Sequence, residues 1–278
     1  MDAPENARSG EIATIFDRLF PLWGVCALPA KAASALRSRG NPLPEGAKSV
    51  LVAAFPYLLP EEMYAGRNIA RFAVARDYHA VCGARLARGC HILEGMHPGA
   101  AFAWHCDNSP LPEVALAEAA GLGRKGRHNL LITRPYGSWV FLGEIVSTVA
   151  LPRNPRNALP EDHLACASCR RCEAACPTGA LAEGAFDRGR CLSLLSQRKG
   201  ALTGEEEAML RRGESAWGCD ICQEACPLNA GITPAPLPEF LADPLARLGR
   251  DTPLEGRAYA WRGRAVLERN LEVLDGRK

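Results

Sequence analysis

The sequence predicts an α+β chain, with an N-terminal α/β domain, then a small cysteine-rich module, then a short helical tail. Three observations predict this. Ser49 to Phe55 (SVLVAAF) is a continuous apolar run, as in a strand buried on both faces. Apolar residues recur at helical spacing on either side of it. Eight of the twelve cysteines crowd between Cys166 and Cys226, seven of them in two runs that each end in Cys-Pro and one, Cys191, between the runs.

Bulk properties narrow the class. A length of 278 residues allows one large domain or two smaller ones, and 47% hydrophobic residues can fill a real core. A net charge of +2 is too mild to declare a nucleic-acid partner by itself. The N-terminus MDAPENARSGEI lacks the basic start and apolar run of a signal peptide, and no twin-arginine signal is present. No stretch is apolar enough to span a membrane as a helix. Reduced thiols and no leader give a cytoplasmic expectation.

In order, Glu11–Phe20 reads as an amphipathic helix with Ile12, Ile15, Phe16, Leu19 and Phe20 on one side, ended by Pro21. Gly24–Leu28 reads as a short strand, with Cys26 a small buried residue. A turn follows at Gly40–Gly46. The Ser49–Phe55 strand stops at Pro56-Tyr57, and ligands gather where strands end, so Tyr57 is a candidate cofactor contact. Asn68–Leu93 reads as mostly helical, with Cys82 and Cys90 packed inside and His79 a candidate functional histidine. Ser109 suits the N-cap of a helix running to Ala120, with Asp107 just outside its start. Arg124–Asn129 is a basic, glycine-punctuated loop that could hold phosphates of a nucleotide tail or of RNA. It opens onto a strand at Leu130–Thr133, and Val140–Val149 reads as another. Pro152–Pro160 is the linker that marks the domain boundary, giving segments 1–155, 156–232 and 233–278.

The second segment carries the strongest signal. Cys166–Pro177 (CASCRRCEAACP) holds four cysteines separated by two, two and three residues. Gly218–Asn229 (GCDICQEACPLN) adds Cys219, Cys222 and Cys226. Three closely spaced thiolates wrap three corners of a cubane, and the cysteine before proline ligates the neighbouring cluster in two-cluster ferredoxins. Cys166, Cys169, Cys172 and Cys226 would then hold one [4Fe–4S] cluster in a ferredoxin-like module. Cys176, Cys219 and Cys222 would hold the other. Ala216 stands where that second motif would ordinarily start with another cysteine, and Cys191 is the available substitute, leaving Leu192–Trp217 as an insertion. Two zinc sites or disulfides are the alternatives, and neither calls for crossed ligands or proline endings. In the insertion, Thr203-Gly204-Glu205-Glu206 reads as a helix start. The tail reads as helical to Leu274, with arginines at 257, 262, 264 and 269.

From Lys48 to Asn270 the ordered motifs resemble the epoxyqueuosine reductases, cobalamin and iron–sulfur enzymes that finish queuosine in tRNA. They are Lys48-Ser49-Val50, Pro56-Tyr57, Ile69 to Ala73, Asp77-Tyr78-His79 and Asp107 with Ser109-Pro110. They continue with Ala120 to Gly123, Lys125-Gly126, Gly137 to Glu144 and both cysteine motifs, with Cys191 and Lys199-Gly200 between. The resemblance implies a cobalamin held by the N-terminal domain and fed electrons by two clusters. It puts Asp107 on the proposed proton donor and general acid, and Leu131 to Leu142, including Gly137 and Ser138, on cobalamin-contacting backbone. Tyr57 and His79 join that cofactor set. The implied partners are tRNA and a small electron donor such as flavodoxin or ferredoxin. Family members usually continue into a helical-repeat domain that helps hold tRNA, and the sequence stops near that point. A reductase of the same build acting on a smaller substrate, as in the reductive dehalogenases, is the second expectation. An iron–sulfur electron carrier is the third, although it would need only the cysteine module.

Overall fold

The computed structural model describes residues 5–28, 43–107, 109–153 and 164–276. The expected linker lies outside the described residues from position 154 to 160, as do positions 40–42 of the expected turn. The chain forms two compact units. The first takes residues 1–56, 79–125 and 140–161, and the second takes 57–78, 126–139 and 162–278. Among the described residues no helix is long and apolar enough to cross a membrane.

The first unit is built on a four-stranded sheet. Strands β1 (Leu22–Ala27), β2 (Ser49–Pro56), β3 (Phe102–His105) and β4 (Val140–Ser147) lie in the order β1-β2-β4-β3, and every pairing is antiparallel. All eight residues of β2 are buried, as its unbroken apolar run requires. At roughly 1.5–3 kcal/mol per fully buried large apolar side chain, Val50, Leu51, Val52 and Phe55 make β2 the centre of this core. Helix α1 (Glu5–Leu19) closes one edge through Phe16 and Phe20, whose rings meet Trp23 and Phe55 at 5.5 and 5.9 Å.

Helix α2 (Tyr78–Met96) buries Cys82, Leu86, Cys90 and Leu93, as the spacing predicts. It can lie directly on the sheet because Gly89 has no side chain: a Cβ there would fall 2.8 Å from Ile145 Cδ1. The helix expected from Asn68 starts only at Tyr78. Residues 68–77 instead give their backbone to the second unit, where Ala70 N–H donates to Trp217 O at 2.7 Å and Ala216 N–H to Asn68 O at 2.7 Å. Apolar spacing there reflects docking of an irregular segment, including the 3-10 turn Arg71–Ala73. The next helix, α3 (Glu113–Ala119), also starts late, with Pro112 at its N-cap and no side-chain cap. Ser109 is therefore not the cap: its hydroxyl is drawn to the buried Glu144 carboxylate instead. The strand expected over Leu130–Thr133 shrinks to Leu131–Ile132.

In the second unit, helices α4 (Leu164–Ser168), α5 (Arg171–Ala175), α6 (Leu192–Gln197), α7 (Gly204–Gly213), α8 (Ile221–Glu224), α9 (Pro238–Leu241) and α10 (Arg264–Leu274) follow in turn. The inserted helix α7 has the capping box its sequence announces, with Thr203 Oγ1 accepting from Glu206 N–H at 3.3 Å and Thr203 N–H donating to Glu206 Oε2 at 2.8 Å. The tail is fastened by Asn270, whose buried Nδ2 donates to Ser196 O and Ala216 O at 2.7 and 2.8 Å. Asp220, beside Cys219, accepts from Arg71 N–H at 2.7 Å and from Arg67 Nη1 at 3.2 Å.

Candidate functional site: a thiol recess, a buried amide clamp and an acid pocket

The eight cysteines of the second unit fall into two sets. Cys166, Cys169, Cys172 and Cys226 line one recess, together with Arg127 and His128. Cys226 reaches it because Pro227 forces the preceding residue into extended backbone, φ −78° and ψ 120°, which turns that thiol away from its own motif. Cys176, before Pro177, is extended in the same way, at φ −69° and ψ 110°. Burial pushes the Cys219 thiol up to about 12, and Cys191 and Cys176 are among the neighbouring charges that add to this. Burial raises Cys222 as well, with Cys219 and Cys191 the next contributors. The structure thus gathers Cys166, Cys169, Cys172 and Cys226 around one recess, and brings Cys191 within electrostatic reach of Cys219 and Cys222. Among the described residues no three His, Cys, Asp or Glu side chains converge on a point small enough for one metal ion. Thiols spread around a recess suit the corners of a cubane better than the single centre of a zinc site.

A buried clamp lies in the same unit. Asn229 Oδ1 accepts from Ser138 N–H at 2.7 Å, while its Nδ2 donates to Ser138 Oγ and Gln223 O, both at 2.8 Å. Gln223 Nε2 donates to Ser138 O at 2.9 Å, Ser138 Oγ at 3.0 Å and Tyr57 Oη at 3.2 Å. Tyr57 and Ser138 are therefore buried, with side chains tied to the Cys222–Cys226 segment. Burial raises the Tyr57 hydroxyl well above its ordinary range, so it stays neutral. Gly137 (φ 56°) passes so close that a Cβ would fall 2.3 Å from Asn229 Oδ1. Leu131 is buried nearby in sequence.

The acid pocket belongs to the first unit. Asp107 sits in a left-handed turn at φ 63°, and its side chain is 59% exposed. Its Oδ2 lies 3.2 Å from His79 Nε2, whose side chain is 38% exposed. The turn is held against β4, where Cys106 Sγ lies 3.7 Å from Leu142 O. Strand β4 is buried from Gly143 onward but half-open at Val140, Phe141 and Leu142. Two further carboxyls belong to the pocket: Glu144 is fully buried, and Glu113 is half-buried with its Oε1 shut off from solvent. Burial pushes Glu144 up to about 7, although the Ser109 hydroxyl works against this. Burial pushes Glu113 up to about 8, aided by the charges of Glu144 and Asp107 and opposed by a hydrogen bond from the Asp107 backbone. His105 pairs with Glu144 across β3 and β4, and burial lowers its pKa. Asp107 itself is open toward solvent.

Residues 165–229 match the family model of a 4Fe-4S double cluster binding domain, and residues 37–107 match that of epoxyqueuosine reductase QueG, DUF1730. The epoxyqueuosine reductase of Gloeobacter violaceus is 40% identical over 189 residues, covering 66% of this chain and 57% of that protein. That of Listeria monocytogenes is 33% identical over 243 residues, covering 80% and 61%. The chain belongs to the epoxyqueuosine reductase family. It spans about three fifths of the length of these curated relatives. The structure of epoxyqueuosine reductase from Streptococcus thermophilus superposes with a TM-score of 0.75 at 25% identity, over 95% of this chain and 80% of that one. A crystal structure of epoxyqueuosine reductase with a tRNA-Tyr epoxyqueuosine-modified tRNA stem loop gives 0.76 at 25% identity, over 97% and 81%.

Sequence reasoning about this epoxyqueuosine reductase relative missed Glu113, Glu144, Gln223 and Asn229. Glu144 was signalled by a charge inside the apolar run Val140–Val149, and the two amides by their place within a cysteine motif. The tail arginines are committed within their own unit. Arg257 is buried, donating to Asp243 Oδ2 at 2.7 Å and Asp243 O at 2.8 Å. Arg269 donates to Arg198 O at 2.6 Å, and Arg264 to Thr252 O at 3.1 Å. In the basic loop Arg127 pairs with Glu173 at 2.8 Å, whereas Arg124 and Lys125 are exposed.

Proposed function

We propose that this chain is an oxidoreductase that converts epoxyqueuosine in tRNA to queuosine, with cobalamin and two [4Fe–4S] clusters as cofactors. The observation that carries the substrate is the likeness, over 97% of the chain, to an epoxyqueuosine reductase structure with a modified tRNA stem loop. Cys166, Cys169, Cys172 and Cys226 hold one cluster, and Cys176, Cys191, Cys219 and Cys222 hold the other. Segment 1–155 is the cobalamin domain, 156–232 the cluster module and 233–278 the tail. A small donor such as flavodoxin or ferredoxin supplies electrons in the cytoplasm.

The residues fit cobalamin at the half-open apolar start of β4, which adjoins the Asp107 turn. Leu142 would meet the corrin there, with His79 as a further contact in the same unit, whereas Leu131, Gly137 and Ser138 are buried in the second unit, with the Ser138 N–H and O bound into the amide clamp. Tyr57 supports Ser138 through Gln223. When bound, cobalamin supplies strongly reducing chemistry at carbon. Turning the epoxide into an alkene takes two electrons and two protons and releases water. Asp107 gives the first proton to the departing oxygen as general acid. His79, 3.2 Å from its carboxyl, is placed to return a proton to it. Exposed as it is in the chain, Asp107 would gain its burial, and so a higher pKa, only from bound cofactor and substrate. Purified Asp107→Asn should retain iron, sulfide and cobalamin yet fail to form queuosine in a single turnover. Unchanged turnover in that variant would remove Asp107 from the chemistry.

A further inference from the structure

His128 is not among the residues to which the proposed chemistry gives a role, yet the fold treats it with care. Its side chain lines the recess of Cys166, Cys169, Cys172 and Cys226, and only 4% of the residue is exposed. Leu130 N–H donates to its Nδ1 at 3.2 Å. A ring nitrogen that accepts carries no hydrogen, so the imidazole is neutral and its hydrogen is on Nε2. Among the described residues that Nε2 has no hydrogen-bond partner. A buried N–H left without an acceptor is costly, so the site implies an acceptor that the protein itself does not provide. Gly126 makes the ring's placement possible: a Cβ there would fall 2.7 Å from His128 Cε1 and 3.1 Å from Nδ1. The backbone therefore grips the Nδ1 edge, while the ring lines the recess with its Nε2 buried and unpartnered among the described residues. Arg127, the other polar residue lining the recess, is committed to Glu173 through Nε and Nη2 at 2.9 and 2.8 Å.

We propose that the His128 Nε2–H donates a hydrogen bond to the iron–sulfur cluster of this recess, at a sulfide or a cysteine Sγ, and raises that cluster's reduction potential. This rests on the reading of the recess as a cluster site. One-electron reduction adds negative charge to the sulfurs, and a fixed N–H pointing at them favours the reduced state. The proton stays on Nε2 throughout, so His128 tunes the cluster and is not a catalytic residue. The consequence is that His128 shifts the potential of the recess cluster and leaves that of the other in place.

The test uses the full chain with both clusters assembled and histidine labelled with 15N. Pulsed EPR of the reduced protein should show a coupling to an imidazole 15N, and no such coupling would overturn the proposal without any substitution being made. In EPR-monitored redox titrations His128→Leu should keep full iron and sulfide while one cluster shifts to a more negative potential and the other stays in place. His128→Gln, which restores an N–H near the Nε2 position, should bring the potential back toward the original. An intact His128→Leu protein with both potentials unchanged would refute the idea. Cys169→Ala separates the two readings: with no ligand at that corner one [4Fe–4S] cluster should be lost or degraded, and if both persist unchanged, the recess assignment itself fails.

Discussion

Replacing Asn229 by Leu tests whether the amide clamp beside the cysteine motif is a structural keystone. Leu has the branched shape of Asn with the same number of heavy atoms and is bulkier, so no room is left for a water to take the amide's place. Three buried hydrogen bonds disappear, to Ser138 N–H, Ser138 Oγ and Gln223 O. Two of the three partners keep another bond: Ser138 Oγ still accepts from Gln223 Nε2, and Gln223 O from Cys226 N–H at 3.2 Å. Ser138 N–H alone is orphaned. One orphaned buried donor costs about 1–3 kcal/mol, and two lost bonds cost about 0.5–1.5 kcal/mol each. The sum centres on roughly 4 kcal/mol, a large share of a typical domain's total stability. At about 2–4 °C per kcal/mol, the thermal midpoint should fall by roughly 8–16 °C. Circular dichroism melts of both proteins, loaded with clusters under anaerobic conditions, give the number. Iron content before heating should be equal, because no thiol is touched. A fall of about 2 °C or less would show that the clamp is not needed, and the reasoning from orphaned groups would be wrong here.

Gly137→Ala attacks the same clamp from the other side. Its Cβ would lie 2.3 Å from Asn229 Oδ1 at a backbone φ of 56°, so this small substitution should destabilise by on the order of 1–3 kcal/mol in the same melts. The acid pocket predicts a pH slope. Glu113 and Glu144 are raised by burial to about 8 and about 7 from 4.5, so the fold keeps protons that the unfolded chain has released. Their contribution is fully present below about pH 4.5 and is lost as pH rises toward 8. Glu113→Gln should flatten the decline of urea midpoints between pH 6 and 8.5 and stabilise the protein at the upper end; an unchanged slope would count against a buried neutral acid. Thr203→Ala should lower stability by about 1 kcal/mol through loss of the α7 cap, and the same urea measurement checks it.

What the sequence made legible follows physical specificity. The β2 strand was readable because eight buried residues in succession leave one interpretation, although its neighbours turned out antiparallel. The cysteine sets were readable because Cys-Pro fixes local backbone, and therefore the direction of the fourth thiol. The Thr203 cap was readable because a capping box is a local device. By contrast, residues 68–77 carried helix-like spacing but answer to Trp217 and Asp220, about 150 residues away. Ser109 had the chemistry of a cap and was claimed by Glu144, 35 positions on. The tail arginines were legible only as charge, whereas Arg257, Arg264 and Arg269 bind backbone carbonyls within their own unit. Long-range hydrogen bonds to buried polar groups decide all three cases, and no local pattern reports them.

The most direct test of the central claim is nucleoside mass spectrometry of tRNA from a bacterium that lacks its epoxyqueuosine reductase and carries this gene. The account predicts that queuosine reappears with the unsubstituted chain and that only epoxyqueuosine accumulates with Asp107→Asn. If the unsubstituted chain leaves only epoxyqueuosine, while the purified protein holds iron, sulfide and cobalamin, then epoxyqueuosine in tRNA is not its substrate.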